Sequence, residues 1–280
     1  MIILYLATLS DSSASVADVS GGKNTAGKVR LMVRCCAILT NLLGRIEVPQ
    51  QQNMALKHLK KALQHFERQE MQESIQECED ALRVDPTMIF AHAVMGQIFN
   101  HMHEWSRAVD SWRNAAKLDA DNHEFYYHLG FSLHQVALDT MNKKKKHGLN
   151  TEAIDAFNNY LRLAESADAP QSQIGAAHSY LGNVYKSIKT RDKQELAKDH
   201  FMQAVNLDPT NELAFFNIGL LYVDEYEKTL NEDVKAHALE NINRAIELSP
   251  SNTHFSLVRD ALLGKVSSEE LMMTMQHSEL

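Results

Sequence analysis

The sequence predicts an all-α protein, and two observations support this fold class. First, only 11 Gly and 5 Pro occur among 280 residues, and aromatic residues make up 7% of the chain. This composition favours long helices over many short strands joined by Gly- and Pro-rich turns. Second, a pattern of two amphipathic helices recurs from Met54 onward, so that Gly96 and Gly130 lie 34 residues apart. Together these features predict a stack of helical hairpins.

The first 53 residues precede the repeats and contain one predicted helix. Residues 29–46 place apolar side chains at helical spacing, with Arg30 and Arg34 on one flank. This segment either caps the first repeat, lies on a membrane surface, or occupies the groove of its own chain or of a neighbouring copy. The apolar run Ile2–Leu9 lacks the basic start of a secretory signal. We assign residues 1–53 to a leader with this helix, 54–252 to the repeats and 253–280 to capping helices.

Each repeat combines a tiny residue in its first helix with a large residue in its second. The tiny residue lets the two helices of a hairpin approach closely, and the large one fills the space between hairpins. Pro then ends the second helix, because it cannot continue the hydrogen-bond ladder. The tiny residues are Ala62, Gly96, Gly130, Gly182 and Gly219; the large ones are Cys78, Trp112, Phe157, Phe201 and Ile242; the prolines are Pro86, Pro209 and Pro250.

This arrangement resembles the tetratricopeptide repeat (TPR) family over residues 55–252, in five copies. The resemblance implies a right-handed solenoid of antiparallel helix pairs whose first helices line a concave groove. The tiny residue and the following second-helix Ala are 12 positions apart in repeat two but 23, 15 and 19 apart in repeats three to five. Hairpins three to five should therefore have longer arms. A helix over Phe255–Leu263, ended by Gly264, and another starting at Ser267 are predicted to cap the last repeat.

The concave faces of the first helices carry the main functional indication. Residues spaced by four, four and three along a first helix share one side. The predicted trough is aromatic and aliphatic with one polar station, which suits a hydrophobic segment or the apolar face of a helix. Chaperone-binding family members clamp a carboxylate at groove sites that here hold Leu59, Leu63, Val94, Glu124 and His128. The candidate groove residues are Leu59, Leu63, Phe66, Phe90, Gln97, Asn100, Tyr127, Phe131, His134, Asn183, Lys186, Phe216, Asn217 and Leu220.

One dense basic cluster is formed by Lys143, Lys144, Lys145 and Lys146. One interpretation is a contact with an anion: a phosphate, an acidic lipid or an acidic protein. The other interpretation is structural, because Lys near a helix C-terminus complements the macrodipole. Gly148 would then end that helix, and Thr151 would cap the next one. The structural interpretation is favoured because the cluster is predicted at the tip of a long hairpin.

The sequence holds no motif for catalysis and none for a metal or cofactor. His101 and His103 have no second ligand pair at zinc-like spacing. His58, His92 and His178 each stand four residues before the tiny residue of a repeat, so their recurrence predicts a packing role. We therefore expect no enzyme activity, no cofactor and no metal site.

Charge and cysteine content restrict the partners and the compartment. Lys and Arg total 28 against 36 Asp and Glu, for a net charge of −8, which disfavours general binding to nucleic acid. Three Cys cannot form a disulfide framework, so a reducing compartment, the cytoplasm, is expected. No stretch approaches the ~20 apolar residues that span a bilayer, which leaves only peripheral contact with a membrane.

These observations predict a non-catalytic scaffold or adaptor that binds a protein or peptide in its groove. One alternative is an assembly chaperone that shields hydrophobic segments of membrane or secreted subunits. The other is a self-assembling scaffold, in which the N-terminal helix of one copy fills the groove of the next. A size that depends on concentration would favour the self-assembling scaffold.

Overall fold

A computed structural model describes residues 50–266, and this range contains eleven α-helices and no strand. The predicted helix at residues 29–46 and the capping helix predicted from Ser267 lie outside the described residues. Within them, no helix is long and apolar enough to cross a membrane. The helices are α1 Gln50–Glu67, α2 Met71–Val84, α3 Ile89–His101, α4 Trp105–Leu118, α5 His123–Asp139, α6 Lys143–Ser166, α7 Gln171–Ile188, α8 Arg191–Leu207, α9 Glu212–Thr229, α10 Glu232–Leu248 and α11 Thr253–Leu262.

The helices divide into two compact units, with the boundary between Ala167 and Asp168. In the first unit α1 packs on α2, α3 on α4 and α5 on α6, so that each pair is a hairpin. In the second unit α7 pairs with α8 and α9 with α10, and α11 packs on α10. These five pairs are the five predicted repeats, and the all-α fold class is confirmed. The assignment of residues 54–252 to one continuous solenoid stays a prediction.

Close approach within hairpins two to five confirms the predicted role of the tiny residues, but it places the large residues inside their own hairpins, whereas the sequence predicted them between hairpins. A Cβ added at Gly96 would lie 2.5 Å from the ring of Trp112, and one added at Gly130 would lie 2.9 Å from Phe157. The corresponding distances are 2.7 Å for Gly182 to Phe201 and 2.6 Å for Gly219 to Ile242. Cβ atoms essentially never come so close to another heavy atom. The large side chain therefore occupies the space that the missing Cβ leaves inside its own hairpin.

Helix ends follow the local signals of the sequence. The backbone N–H groups of Asp85 and Asp208 donate to the carbonyls of Ala81 and Ala204 and close the last turns of α2 and α8. A proline follows each of these Asp residues and cannot extend the ladder. The next helices begin at side-chain caps: Asn122, Asn211 and Asn252 each accept a hydrogen bond from a backbone N–H of the first turn.

The third hairpin is longer than the second, as the spacing predicted. Ten residues of α6 precede Ala153, whereas three residues of α4 precede the equivalent Ala108. At 1.5 Å per residue, the first turns of α6 extend the hairpin by about 10 Å beyond the length of the second. Both helices of hairpins four and five are also longer than those of hairpin two.

The lysine cluster lies at the opposite helix end from the one that the structural interpretation required. Lys143–Lys146 form the first turn of α6, and Gly148 and Thr151 lie inside this helix. The Asn142 side chain caps it by accepting a hydrogen bond from the Lys145 backbone N–H. Lysines at a helix N-terminus face the positive end of the macrodipole and are disfavoured there. The macrodipole therefore does not explain this cluster, and that interpretation is wrong.

The last described helix caps the second unit, as predicted. Phe255 and Val258 of α11 are buried in a cluster with Phe216, Ile242 and Ala245. After α11, Gly264 adopts a φ of +71°, and the N–H of the next residue returns to the carbonyl of Asp260. Gly ends a helix in this way because it has no Cβ to oppose a left-handed conformation.

Candidate partner-binding site

In the first unit, six of the candidate groove residues are buried, whereas the residues that line an open trough would be exposed. Leu59, Leu63 and Phe66 on α1 are 2%, 2% and 8% exposed. On α5, Tyr127, Phe131 and His134 are also buried. Buried side chains of this kind stabilise the fold and present little surface to a partner. The prediction that these six side chains line an open trough is therefore corrected, because they are buried. A role for them in binding stays a prediction.

Helix α3 carries the accessible part of the candidate face in the first unit. Phe90 is 42% exposed and is the one aromatic side chain among the exposed large hydrophobic residues that the structure describes. Gln97 and Asn100, about two and three turns further along the same side, are half-buried. The Oδ1 atom of Asn100 lies 2.8 Å from the hydroxyl of Ser132 on α5, which holds this amide in place. An exposed aromatic ring on the same helix as partly accessible amides is a common composition for a protein-binding surface.

In the second unit, the structure brings together part of the predicted polar station. Lys186 Nζ on α7 donates to Asn217 Oδ1 on α9 over 2.8 Å. Burial lowers the pKa of Lys186, and the nearby Asp224 partly opposes that effect. Asn183 and Leu220 are half-buried, whereas Phe216 is buried against Phe255 of the cap. Of the candidate residues in this unit, Asn183, Lys186, Asn217 and Leu220 are therefore partly accessible and Phe216 is not.

The structure also brings together three residues whose side chains can bind metal ions, and the sequence pattern did not predict this cluster. The Nδ1 atom of His58 on α1 and carboxylate oxygens of Glu77 and Asp80 on α2 all lie within 4.8 Å of one another. His58 contacts Glu77 over 2.6 Å, and Lys61 donates to the same carboxylate over 3.1 Å. Arg83 pairs with Asp80. Because both carboxylates already have cationic partners, this group is described best as an ion-pair network that joins α1 to α2.

A second histidine contact forms inside the fourth hairpin. The Nδ1 atoms of His178 on α7 and His200 on α8 lie 3.0 Å apart, and their rings stack. Tyr185 stacks on the other side of the pair, nearly parallel to His200. Burial is the main cause that lowers the pKa of His178 to about 4, and His200 adds to that effect. The predicted packing role of His178 agrees with this contact, but His200 has no counterpart in the sequence pattern.

We expect the pKa of His178 to make stability depend on pH. The folded pKa lies below the ordinary value of 6.5, so the unfolded state binds more protons between about pH 6.5 and pH 4. The free energy of unfolding should therefore fall as the pH is lowered through this window. A His178→Phe variant, which keeps a ring in place but cannot be protonated, should lose less stability over the same range. Urea unfolding at a series of pH values measures the difference.

The control for this prediction is His147→Gln, because His147 is exposed on α6 and belongs to the first unit, whereas the pair belongs to the second. This variant should follow the pH dependence of the wild type. If His178→Phe also follows the wild type at every pH, the stacked pair does not link protonation to folding.

Comparisons with solved structures place this fold among known proteins. The chain is similar to YrrB, a TPR protein with an unusual peptide-binding site, at 18% identity and a TM-score of 0.55, over 76% of this chain and 93% of YrrB. It is similar to MamA from Desulfovibrio magneticus RS-1 at 17% identity and a TM-score of 0.56, over 73% and 98% of the two chains. PilF of Pseudomonas aeruginosa gives 15% identity and a TM-score of 0.55, over 78% and 87%.

No protein-family profile and no curated protein sequence matches the chain. The structural likeness therefore carries the assignment, together with the hairpins and the glycine contacts of repeats two to five. The chain has the fold of a tetratricopeptide repeat protein.

Proposed function

We propose that this protein is a non-catalytic scaffold that binds a protein partner, presented as a hydrophobic peptide or helix, through the first helices of its repeats. The observation that carries the proposal is the exposure of Phe90 on α3. Burying an aromatic ring on a partner contributes more than most side chains, because the ring has a large apolar area and few rotatable bonds. Gln97 and Asn100, along the same helix, supply amide groups for hydrogen bonds to a peptide backbone.

Two further observations support this function. TPR folds include YrrB, which has a peptide-binding site, and the present chain has the same repeat architecture. In the second unit, Lys186 and Asn217 form a polar pair on the equivalent first helices, where they suit the polar groups of an extended segment. The buried residues of α1 and α5 then act as the support that fixes the position of the accessible side chains.

The test compares partner capture by the full chain and by a Phe90→Glu variant. The charge on the variant would have to be desolvated on binding, so we expect at least about a tenfold loss of affinity for the captured partner. Quantitative pull-down identifies the partner, and calorimetry with that purified partner measures the loss. Adding a differently tagged second copy of the chain tests whether the partner is the protein itself.

A matched control is Leu138→Glu, since Leu138 is 50% exposed near the end of α5, outside the candidate face. This control should bind as the wild type does. Equal affinity of wild type and Phe90→Glu would show that the α3 face is not the binding surface.

A further inference from the structure

The tip of the third hairpin is a strongly basic surface with an apolar residue at its apex. We define the lysine tip as Met141 together with Lys143–Lys146. Between Thr140 and Asn150 the sequence contains four Lys and no acidic residue, although the chain as a whole has a net charge of −8. The tip is therefore positively charged, although the net charge of the molecule is negative.

None of the four lysine ammonium groups has a carboxylate partner among the described residues. Elsewhere in the same unit, Arg107 pairs with Glu104, and Arg113 pairs with both Asp110 and Glu152. The lysines also occupy the first turn of α6, where free backbone N–H groups and the macrodipole add further positive potential. The fold thus retains a cluster of like charges that opposes its own stability and that an external anion would neutralise.

An exposed methionine accompanies this charge. Met141, in the turn between α5 and α6, is 96% exposed, and Leu138 at the end of α5 is 50% exposed. The longer arms of this hairpin carry these side chains about 10 Å beyond the length of the second hairpin. An apolar residue surrounded by lysines on a projecting turn is suited to enter a headgroup layer while its neighbours contact lipid phosphates.

The shape of the tip favours a flat anionic surface over an acidic peptide. Four consecutive helical residues are rotated by about 100° each, so the lysines surround the axis of α6 and do not line one groove. The adjacent cleft, of about 380 Å³, is lined by Lys145 and Arg107 but also by Glu104 and Asp139. Glu104 is paired with Arg107, but Asp139 would repel an acidic peptide that entered the cleft.

We propose that the lysine tip binds the surface of a membrane that contains anionic lipids. Each lysine near such a surface increases binding by about fivefold, and four of them act together. Binding should weaken as salt is added, because Lys143, Lys144 and Lys145 are exposed to solvent and Lys146 is partly exposed. This inference is independent of the proposed partner-binding face on α3.

The experiment measures sedimentation of the full chain with lipid vesicles. The wild type should bind vesicles of phosphatidylcholine mixed with phosphatidylserine and remain in the supernatant with phosphatidylcholine alone. Replacing all four lysines of the tip by Gln should reduce binding by at least about tenfold. Met141→Ser, which leaves the charge intact, should reduce binding by a smaller factor.

The matched control removes four other exposed lysines, Lys57, Lys60, Lys117 and Lys228, by substitution with Gln, so that the net charge changes by the same amount. This control should bind as the wild type does. Thermal unfolding should show the tip variant to be at least as stable as the wild type, since its substitutions relieve repulsion at the N-terminus of α6. Equal binding by the tip variant and the wild type would overturn the proposal. So would wild-type binding to an acidic peptide without binding to the anionic vesicles.

Discussion

Replacing Phe201 with alanine should lower the free energy of unfolding by about 3–5 kcal/mol. Phe201 on α8 is 0% exposed, and its ring fills the space over Gly182 of α7. It packs in a cluster with small side chains of its own helix and with Ile218 and Leu221 of α9. Truncation would lose the burial of the ring and leave a cavity, because two helices contact it and a rigid hairpin cannot collapse fully.

Denaturant unfolding followed by circular dichroism measures this loss, with Met202→Ala as the matched control. Met202 is the next residue of α8 but is 47% exposed, so its truncation should cost less than about 1 kcal/mol. Tryptophan fluorescence shows whether the loss extends beyond the second unit, because the only two tryptophans of the chain, Trp105 and Trp112, both lie in the first unit. A loss for Phe201→Ala no larger than for Met202→Ala would contradict the assignment of this ring to the core.

The positions of the tiny and large residues were predictable because they recur along the chain, but their direct contact within one hairpin was not predicted. Gly96 and Trp112, or Gly182 and Phe201, are close in sequence, and repetition distinguishes them from chance spacing. The ends of the helices were predictable for the same reason, since Pro209 and Gly264 act on neighbouring backbone groups.

The exposure of the groove residues was harder to predict from the sequence. Periodicity shows which side of α1 is apolar but not how closely other chain segments cover it. Leu63 and Phe90 therefore had equal standing as candidates, although one is buried and the other is 42% exposed. The contact of His178 with His200 had no local signal, because the two residues are 22 positions apart and belong to different helices.

The lysine tip shows how two competing local signals can mislead. Gly148 was interpreted as a helix end and Thr151 as a cap, but both residues lie inside α6. Asn142 provides the N-terminal cap instead, and extension of the helix satisfies the backbone hydrogen bonds of the intervening residues. Gly in a helix costs only about 1 kcal/mol, which is less than leaving several backbone groups unpaired.

Replacing Gly96 with valine should lower the free energy of unfolding by about 3 kcal/mol, near the upper end of the cost of overpacking. The first added carbon alone would lie 2.5 Å from the ring of Trp112, and two further ring atoms lie within 2.9 Å of it. Trp112 is 3% exposed, so its ring is packed inside the protein and displacing it would disturb its neighbours. Helices α3 and α4 would have to separate, and the contacts between them would be lost along their length.

Gly148→Val is the matched control, because a Cβ added at Gly148 meets no atom within 4 Å, although the residue is also helical. Valine has a slightly higher helix propensity than glycine, so this variant should be as stable as the wild type or more so. Tryptophan fluorescence during urea unfolding reports both substitutions, since Trp112 lies in the same unit as both glycines. If Gly96→Val unfolded at the same urea concentration as Gly148→Val, the second hairpin would not be held together by the contact between glycine and tryptophan. The same substitution at two helical glycines therefore distinguishes a packing requirement of the repeat from a general effect of side-chain size.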